Sequence, residues 1–352
     1  MRGQTMKVQV VGLAFSILMC SALPAGADAI TDQPGYLRGE LLFPLDDKPT
    51  PSCHASTLVE TAEGVLVAAW FGGTHERNDD VGIWVSRFEE GAWTRPVEAA
   101  DGVMSTQRRY PCWNPVLFRP NQGPLVLFFK VGPSPSEWWG ERVISTDGGR
   151  TWQDQRRLPP HVVGPIKNKA VVLEDGTILC PSSSEHEGWR VHLEVTSDLK
   201  TWNVVGPLND PNELGAIQPT LLSYPDGRLQ MLCRTPRKHG FIAQTWSQDK
   251  GQTWSEMTAT SLPNPSAGID GVTLKDGRQL LIYNHSRTSR IPLYAAISSN
   301  GSDWRRVLIL EDQPPGEHSY PAVIQTSDGL VHVSYTYQRL GVKHVVLDPR
   351  LF

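Results

Sequence analysis

Asn114, Gln218 and Tyr320 each stand nine positions before a glycine, respectively Gly123, Gly227 and Gly329, and each is followed by proline. Allowing one or two residues for turn length, the same offset in three further segments gives His54, Asn168 and Asp270. Seven positions after the glycines come Lys130, Arg234 and Asn284, with Phe71, Ser183 and Thr336 in the remaining copies. Polar side chains in matched register are not required for folding, whereas a ligand site where the copies converge would use them. Amides read hydroxyl groups. A lysine and an arginine in one concave site need an anionic partner, because a buried cation is costly alone; the ligand expected is therefore a carboxylate-bearing or sulfated one.

The elements that must carry these residues are hairpins. Turn glycines recur at Gly64, Gly123, Gly176, Gly227, Gly277 and Gly329, each between two apolar runs, as in Leu221-Leu222-Ser223-Tyr224-Pro225-Asp226-Gly227-Arg228-Leu229. Glycine permits the positive φ that a tight turn requires. A second series, Trp93, Trp152, Trp202, Trp254 and Trp304, runs out of phase with the first. These tryptophans close polar turns such as Ser145-Thr146-Asp147-Gly148-Gly149-Arg150-Thr151-Trp152. Two hairpins per period of about 50 residues predict an all-β fold, a six-bladed β-propeller of four-stranded antiparallel blades. First strands line the axis of such a body, so their leading residues meet at one mouth. Pairing of the N-terminal segment with the last repeat would close the ring and remove exposed edges. The aspartates of the repeated turns, Asp147 and Asp249, are read as bonding their own backbone, not as catalytic or calcium-binding groups.

Arg2 and Lys7 before an apolar run to Met19, then Ala25-Gly26-Ala27, read as a signal peptide over 1–27, followed by one propeller domain over 28–352. The expected location is secreted or periplasmic, without a membrane span after cleavage. A formal net charge of −4 gives no support for nucleic-acid binding. Cys53, Cys112, Cys180 and Cys233 lack metal-ligand spacing; Cys180 and Cys233 read as small core residues, and Cys53 and Cys112, opening neighbouring repeats, could form a bridge. No metal or cofactor is expected, and a monomer is. Trp138, Trp139 and Trp189, in loops on the mouth side, could stack on a sugar face.

The repeated Asp-box turns and six-fold hairpin pattern resemble the sialidase (neuraminidase) superfamily over roughly residues 40 to 350. The resemblance implies a glycoside hydrolase acting on an acidic sugar, sialic acid or a uronate-containing glycan, in which three arginines hold the carboxylate, a tyrosine is nucleophile assisted by a glutamate, and an aspartate is acid/base. On this sequence it places Tyr320 as nucleophile, Arg234 and Arg290 as second and third arginines, and Asp80, or else Asp79, as acid/base. Two positions depart: Cys53-His54-Ala55 stands where the first arginine belongs, and Ile217-Gln218-Pro219 where the helper glutamate belongs. His54-Ala55-Ser56, Trp70-Phe71-Gly72-Gly73 and Trp113-Asn114-Pro115 look more like the divergent BNR repeat-like branch, which is similar to propellers acting on uronate polysaccharides as lyases or unusual glycosidases. In a lyase His54 would be base and Tyr320 acid. A non-catalytic glycan-binding propeller is the third reading. In all of them Lys130, Gln218, Asn114, Asn168 and Asn284 join the arginines in binding.

Overall fold

The computed structural model describes residue 1 and residues 30–314 and 316–352. Residues 2–27 of the expected leader lie outside the described residues. Six four-strand units follow. Blade I comprises Ser52–Glu60, Leu66–Gly73, Gly82–Glu89 and an outer edge split into Ala92–Trp93 and Val97–Ala100. Blade II comprises Cys112–Phe118, Leu125–Val131, Trp139–Ser145 and Gln153–Arg157; blade III, Val171–Val172, Ile178–Ser184, Arg190–Thr196 and Asn203–Val205. Blade IV comprises Ile217–Ser223, Leu229–Arg234, Phe241–Ser247 and Thr258–Pro263; blade V, Asp270–Thr273, Gln279–Asn284, Leu293–Ser298 and Arg305–Glu311. Blade VI takes three strands from the C-terminal end, His318–Gln325, Val331–Tyr337 and Gly341–Leu347, and its fourth from Tyr36–Leu41. That last strand pairs antiparallel from Tyr36 opposite Leu347 to Leu41 opposite Lys343, so the ring closes as expected.

Burial follows distance from the axis. Every residue of Leu125–Val131 is buried and every residue of Gln153–Arg157 is exposed. All six turn glycines have positive φ, from 77° to 103°. Six apolar clusters fill the six seams; that between blades I and II includes Val67, Phe71, Leu127 and Phe129. Each fully buried aliphatic or aromatic side chain there contributes about 1.5–3 kcal/mol. The five turn tryptophans pack on five of these clusters, each against the seam shared with the preceding blade.

The turns are stapled internally. Ser145 Oγ donates to Asp147 Oδ1 at 2.7 Å and accepts from Gly149 N, while Asp147 accepts from the backbone N–H and hydroxyl of Thr151. Ser247, Asp249, Gly251 and Thr253 repeat this set. The four cysteines among the described residues, Cys53, Cys112, Cys180 and Cys233, are buried free thiols, which corrects the bridge considered for Cys53 and Cys112. Cys53 packs with Leu42, Trp70 and Val342 at the seam of blades VI and I, whereas Cys112 lies in the seam of blades I and II.

Candidate active site

The first strands of blades I, II, IV and VI share one irregularity near their starts. Pairing with the second strand skips two residues in each: Ala55-Ser56, Asn114-Pro115, Gln218-Pro219 and Tyr320-Pro321. The first of each pair has left-handed backbone, with φ of 55°, 39°, 54° and 53°. Proline suits the second position, since it has no N–H to leave unpaired. Such a bulge re-aims a side chain out of the ladder, and strained φ at bulky residues is a feature of binding sites. The register expected for two copies is corrected by one residue: Ala55, not His54, matches Asn114, Gln218 and Tyr320, and in blade III the left-handed residue is Lys167, not Asn168.

At this end of the axis the strand starts and the loops after the second strands enclose a cavity of about 190 Å³. His54, Asn114, Gln218, Arg234, Arg290 and Tyr320 line it, together with Trp138 and Trp189 from the loops of blades II and III. Arg339, Glu76 and Glu185 also line it. Arg339, in the loop after the second strand of blade VI, accepts a hydrogen bond at its carbonyl from Cys53 N at 2.9 Å. A guanidinium from blade VI is thereby anchored to blade I beside His54, where the sequence lacks an arginine.

The guanidiniums are not equivalent. Arg290 shares Glu317 through Nη1, 3.2 Å from both carboxylate oxygens, and Arg339 Nε donates to the same carboxylate at 2.9 Å. Arg339 also pairs with Glu76. Arg234 is only 8% exposed and forms no ion pair among the described residues. Its Nη1 donates to Gln218 Oε1 at 3.1 Å and to the phenol oxygen of Tyr320, and its Nη2 to Ser266 Oγ at 3.2 Å. Its Nε is buried without a partner. A cation without a counter-charge at the wall of a cavity favours an anion there.

His54 lies with its ring centroid 4.1 Å from that of Tyr320, its Nδ1 2.8 Å from Thr336 Oγ1 and 3.6 Å from Glu317. Burial, and then the charges of Arg339, Arg290, Arg234 and Lys167, hold its pKa well below the usual imidazole value, so the ring is neutral. Glu185 is shifted upward: burial raises its carboxyl, opposed by Arg234 and a hydrogen bond from Trp189.

Four expected binding or catalytic residues are placed elsewhere. Lys130 is fully buried and donates to Pro165 O at 2.6 Å; burial pushes its ammonium down to about 7, and it does not line the cavity. Asn168 donates to the carbonyls of Gln218 and Pro219, and Asn284 to those of Arg290 and His318, so both fix backbone around the site. Asp80 lies outside the cavity, its Oδ2 accepting from Thr74 N at 2.9 Å and Thr74 Oγ1 at 2.7 Å. Trp139 faces a neighbouring groove. Asp270 joins Lys169, Thr220 and Val323 N, tying four blades together. Beneath the cavity the ammonium of Lys167 is held by Asn168 Oδ1, Ile269 O and Pro321 O. Among the described residues no group of three or more His, Cys, Asp or Glu could hold a metal ion, and no helix is long and apolar enough to cross a membrane.

Converging guanidiniums, a phenol and a neutral imidazole can bind a carboxylate and move a proton or an acyl or glycosyl group beside it. The pattern of the BNR repeat-like domain matches residues 64–333 of this chain. No curated protein sequence matches it. Among solved structures, a protein of unknown function from Dyadobacter fermentans is 16% identical, with 90% of this chain and 99% of that one covered at a TM-score of 0.75. A Hadza microbial sialidase is 17% identical, covering 89% and 68% at 0.74. An α-L-arabinanase from Penicillium chrysogenum is 16% identical, covering 90% and 99% at 0.67. At such identities these structures share the fold.

Proposed function

Because the chain belongs to the BNR repeat-like family, whose propeller is also that of sialidases and an arabinanase, we propose that it is a glycosidase for an acidic sugar, exported by the leader at residues 1–27. The observation that carries this reading is Arg234, a guanidinium lining the cavity beside Tyr320 with no ion pair among the described residues. A sugar carboxylate would supply the missing counter-charge, with Arg290 and Arg339 adding positive charge and Asn114 and Gln218 reading hydroxyls.

Tyr320 is the nucleophile in this reading. Its phenol oxygen bonds to the anomeric carbon as the glycosidic C–O bond breaks, the electron pair leaving on the aglycone oxygen. The phenol proton passes to neutral His54, whose imidazolium Glu317 stabilises. Water then attacks the anomeric carbon as the Tyr320–carbon bond breaks, its electrons returning to the phenol oxygen, which takes back the His54 proton. The proton given up by the water balances the one taken up by the aglycone oxygen. Asp80 receives no step.

A uronate lyase is the second reading, favoured by the contact between a neutral His54 and Tyr320. There His54 removes the proton next to the carboxylate, those electrons form the ring double bond, and the Tyr320 hydroxyl protonates the expelled oxygen. Incubating the purified protein with sialosides, rhamnosyl-glucuronides and anionic polysaccharides separates the cases. New reducing ends without ultraviolet absorbance support hydrolysis, and absorbance of an unsaturated uronate supports the lyase. Glycan binding with neither would leave a lectin.

A further inference from the structure

A second hollow adjoins the axial cavity. A groove of about 420 Å³ between the loops of blades II and III shares Pro135, Trp138 and Glu185 with it. At about 190 Å³ the cavity is below the ~300–1,000 Å³ of sites for drug-sized ligands, which suits one sugar ring and excludes a chain. The groove is within that range. Its walls combine planar apolar surfaces, Trp138, Trp139 and Pro159-Pro160, with the polar groups of His161, His186 and Arg190. Pyranose rings likewise present both C–H faces and hydroxyl edges.

The groove is built in advance of any ligand. Glu194, fully buried, accepts from Val163 N at 2.9 Å and Gly164 N at 2.7 Å and lies 3.2 Å from His192 Nε2, fixing the wall that carries His161. That wall lies close against blade II: a Cβ on Gly140 would stand 2.6 Å from Val163 O. Glu185 occupies the junction. Glu185, Arg234 and Tyr320 all line the cavity, and Arg234, whose charge acts on the Glu185 carboxyl, donates to the Tyr320 phenol oxygen.

We infer that the blade II–III groove holds the sugars on the leaving-group side of the bond, and that Glu185, between cavity and groove, is the acid that protonates the leaving oxygen. The inference rests on the glycosidase reading. In the first step the Glu185 proton goes to the glycosidic oxygen as its bond to the anomeric carbon breaks, and the sugar in the groove departs as an alcohol. In the second, the Glu185 carboxylate takes a proton from the water that attacks the anomeric carbon, and the electrons of the Tyr320–carbon bond return to the phenol oxygen. Burial raises the Glu185 carboxyl, the direction an acid requires.

The test compares leaving groups. The full chain is assayed on 4-nitrophenyl sialoside and 4-nitrophenyl glucuronide, and on oligosaccharides in which the same acidic sugar is followed by one, two or three neutral sugars. For wild type, kcat/KM should rise by about tenfold as the first neutral sugars are added, because remote binding energy is used at the reacting bond. Glu185→Gln should lose ~10²–10⁴ in kcat on the oligosaccharides and under ~10-fold in the glycosylation step on nitrophenyl glycosides, since nitrophenolate leaves without a proton. Glu185→Asp, with the same melting temperature as wild type, should recover part of the oligosaccharide rate. Equal losses on both substrate types, or a rate indifferent to chain length, overturn the inference while leaving the glycosidase reading intact. Absence of wild-type turnover on every acidic glycoside overturns both.

Discussion

Arg234 and Tyr320 meet at the propeller axis although 86 residues separate them: a guanidinium N–H from the second strand of blade IV donates to a phenol oxygen on the first strand of blade VI. Left-handed backbone at Gln218 and Tyr320 turns both residues out of their ladders, and the same guanidinium bridges them. A charge-assisted donor aimed at the phenol favours negative charge on that oxygen at the moment it attacks or releases a sugar.

Replacing Tyr320 with Phe should therefore separate binding from turnover. Arg234 keeps its bonds to Gln218 and Ser266, so affinity for an acidic sugar, measured by calorimetry, should change by less than ~10-fold. Turnover should fall by ~10³ or more, as the nucleophile is gone. Retained turnover would remove Tyr320 from the chemistry.

Arg339 supplies a guanidinium where the first blade has none, so Arg339→Gln should act on recognition. Loss of one hydrogen-bonded charge to a carboxylate costs about 1.5–3 kcal/mol, a rise in KM of ~10–100-fold with a smaller change in kcat. Glu317 would still be held by Arg290. A KM unchanged on the acidic substrate would mean that Arg339 serves only Glu76 and Glu317.

The sequence made the propeller legible because its turns need glycine and its bulges tolerate proline, and both recur at a fixed period. Pro115, Pro219 and Pro321 mark the bulges of blades II, IV and VI; blade I has Ser56 in that place, and there the register was read one residue early. Arg339, Glu185 and Glu317 were missed because they come from loops, whose reach no periodicity encodes. Within the loop of blade I, Glu76 lines the cavity while Asp80 closes a turn with Thr74, a difference set by local hydrogen bonding. Lys130 occupied the expected register at the end of its strand, but its ammonium turns to a carbonyl in the seam.

Gly268 is closely packed: a Cβ there would stand 3.1 Å from both Lys167 Cε and Tyr320 Cγ, so one of them must give slightly to admit a methyl group. Lys167 is pinned by Asn168 Oδ1 at 2.9 Å, Ile269 O at 3.0 Å and Pro321 O, so the tyrosine ring must yield. Gly268→Ala should lower kcat by ~10-fold through misplacement of the phenol, with melting temperature nearly unchanged. A lowered melting temperature with normal kcat would show that the packing, not the ring, gave way.

Asp249 tests the turns that hold the blades together. Hydrogen bonds from the Thr253 hydroxyl and backbone hold its carboxyl down at about 2, so folding favours the ionised form. The unfolded chain, with an ordinary carboxylate pKa near 4, binds the proton first as pH falls. The stabilisation is thus fully present above about pH 4 and disappears on descent through about 2. Asp249→Asn should accordingly melt below wild type at neutral pH, and the gap should close steadily between about pH 4 and 2. A gap of undiminished size at pH 2 would mean that the difference between the two side chains does not come from the carboxylate charge.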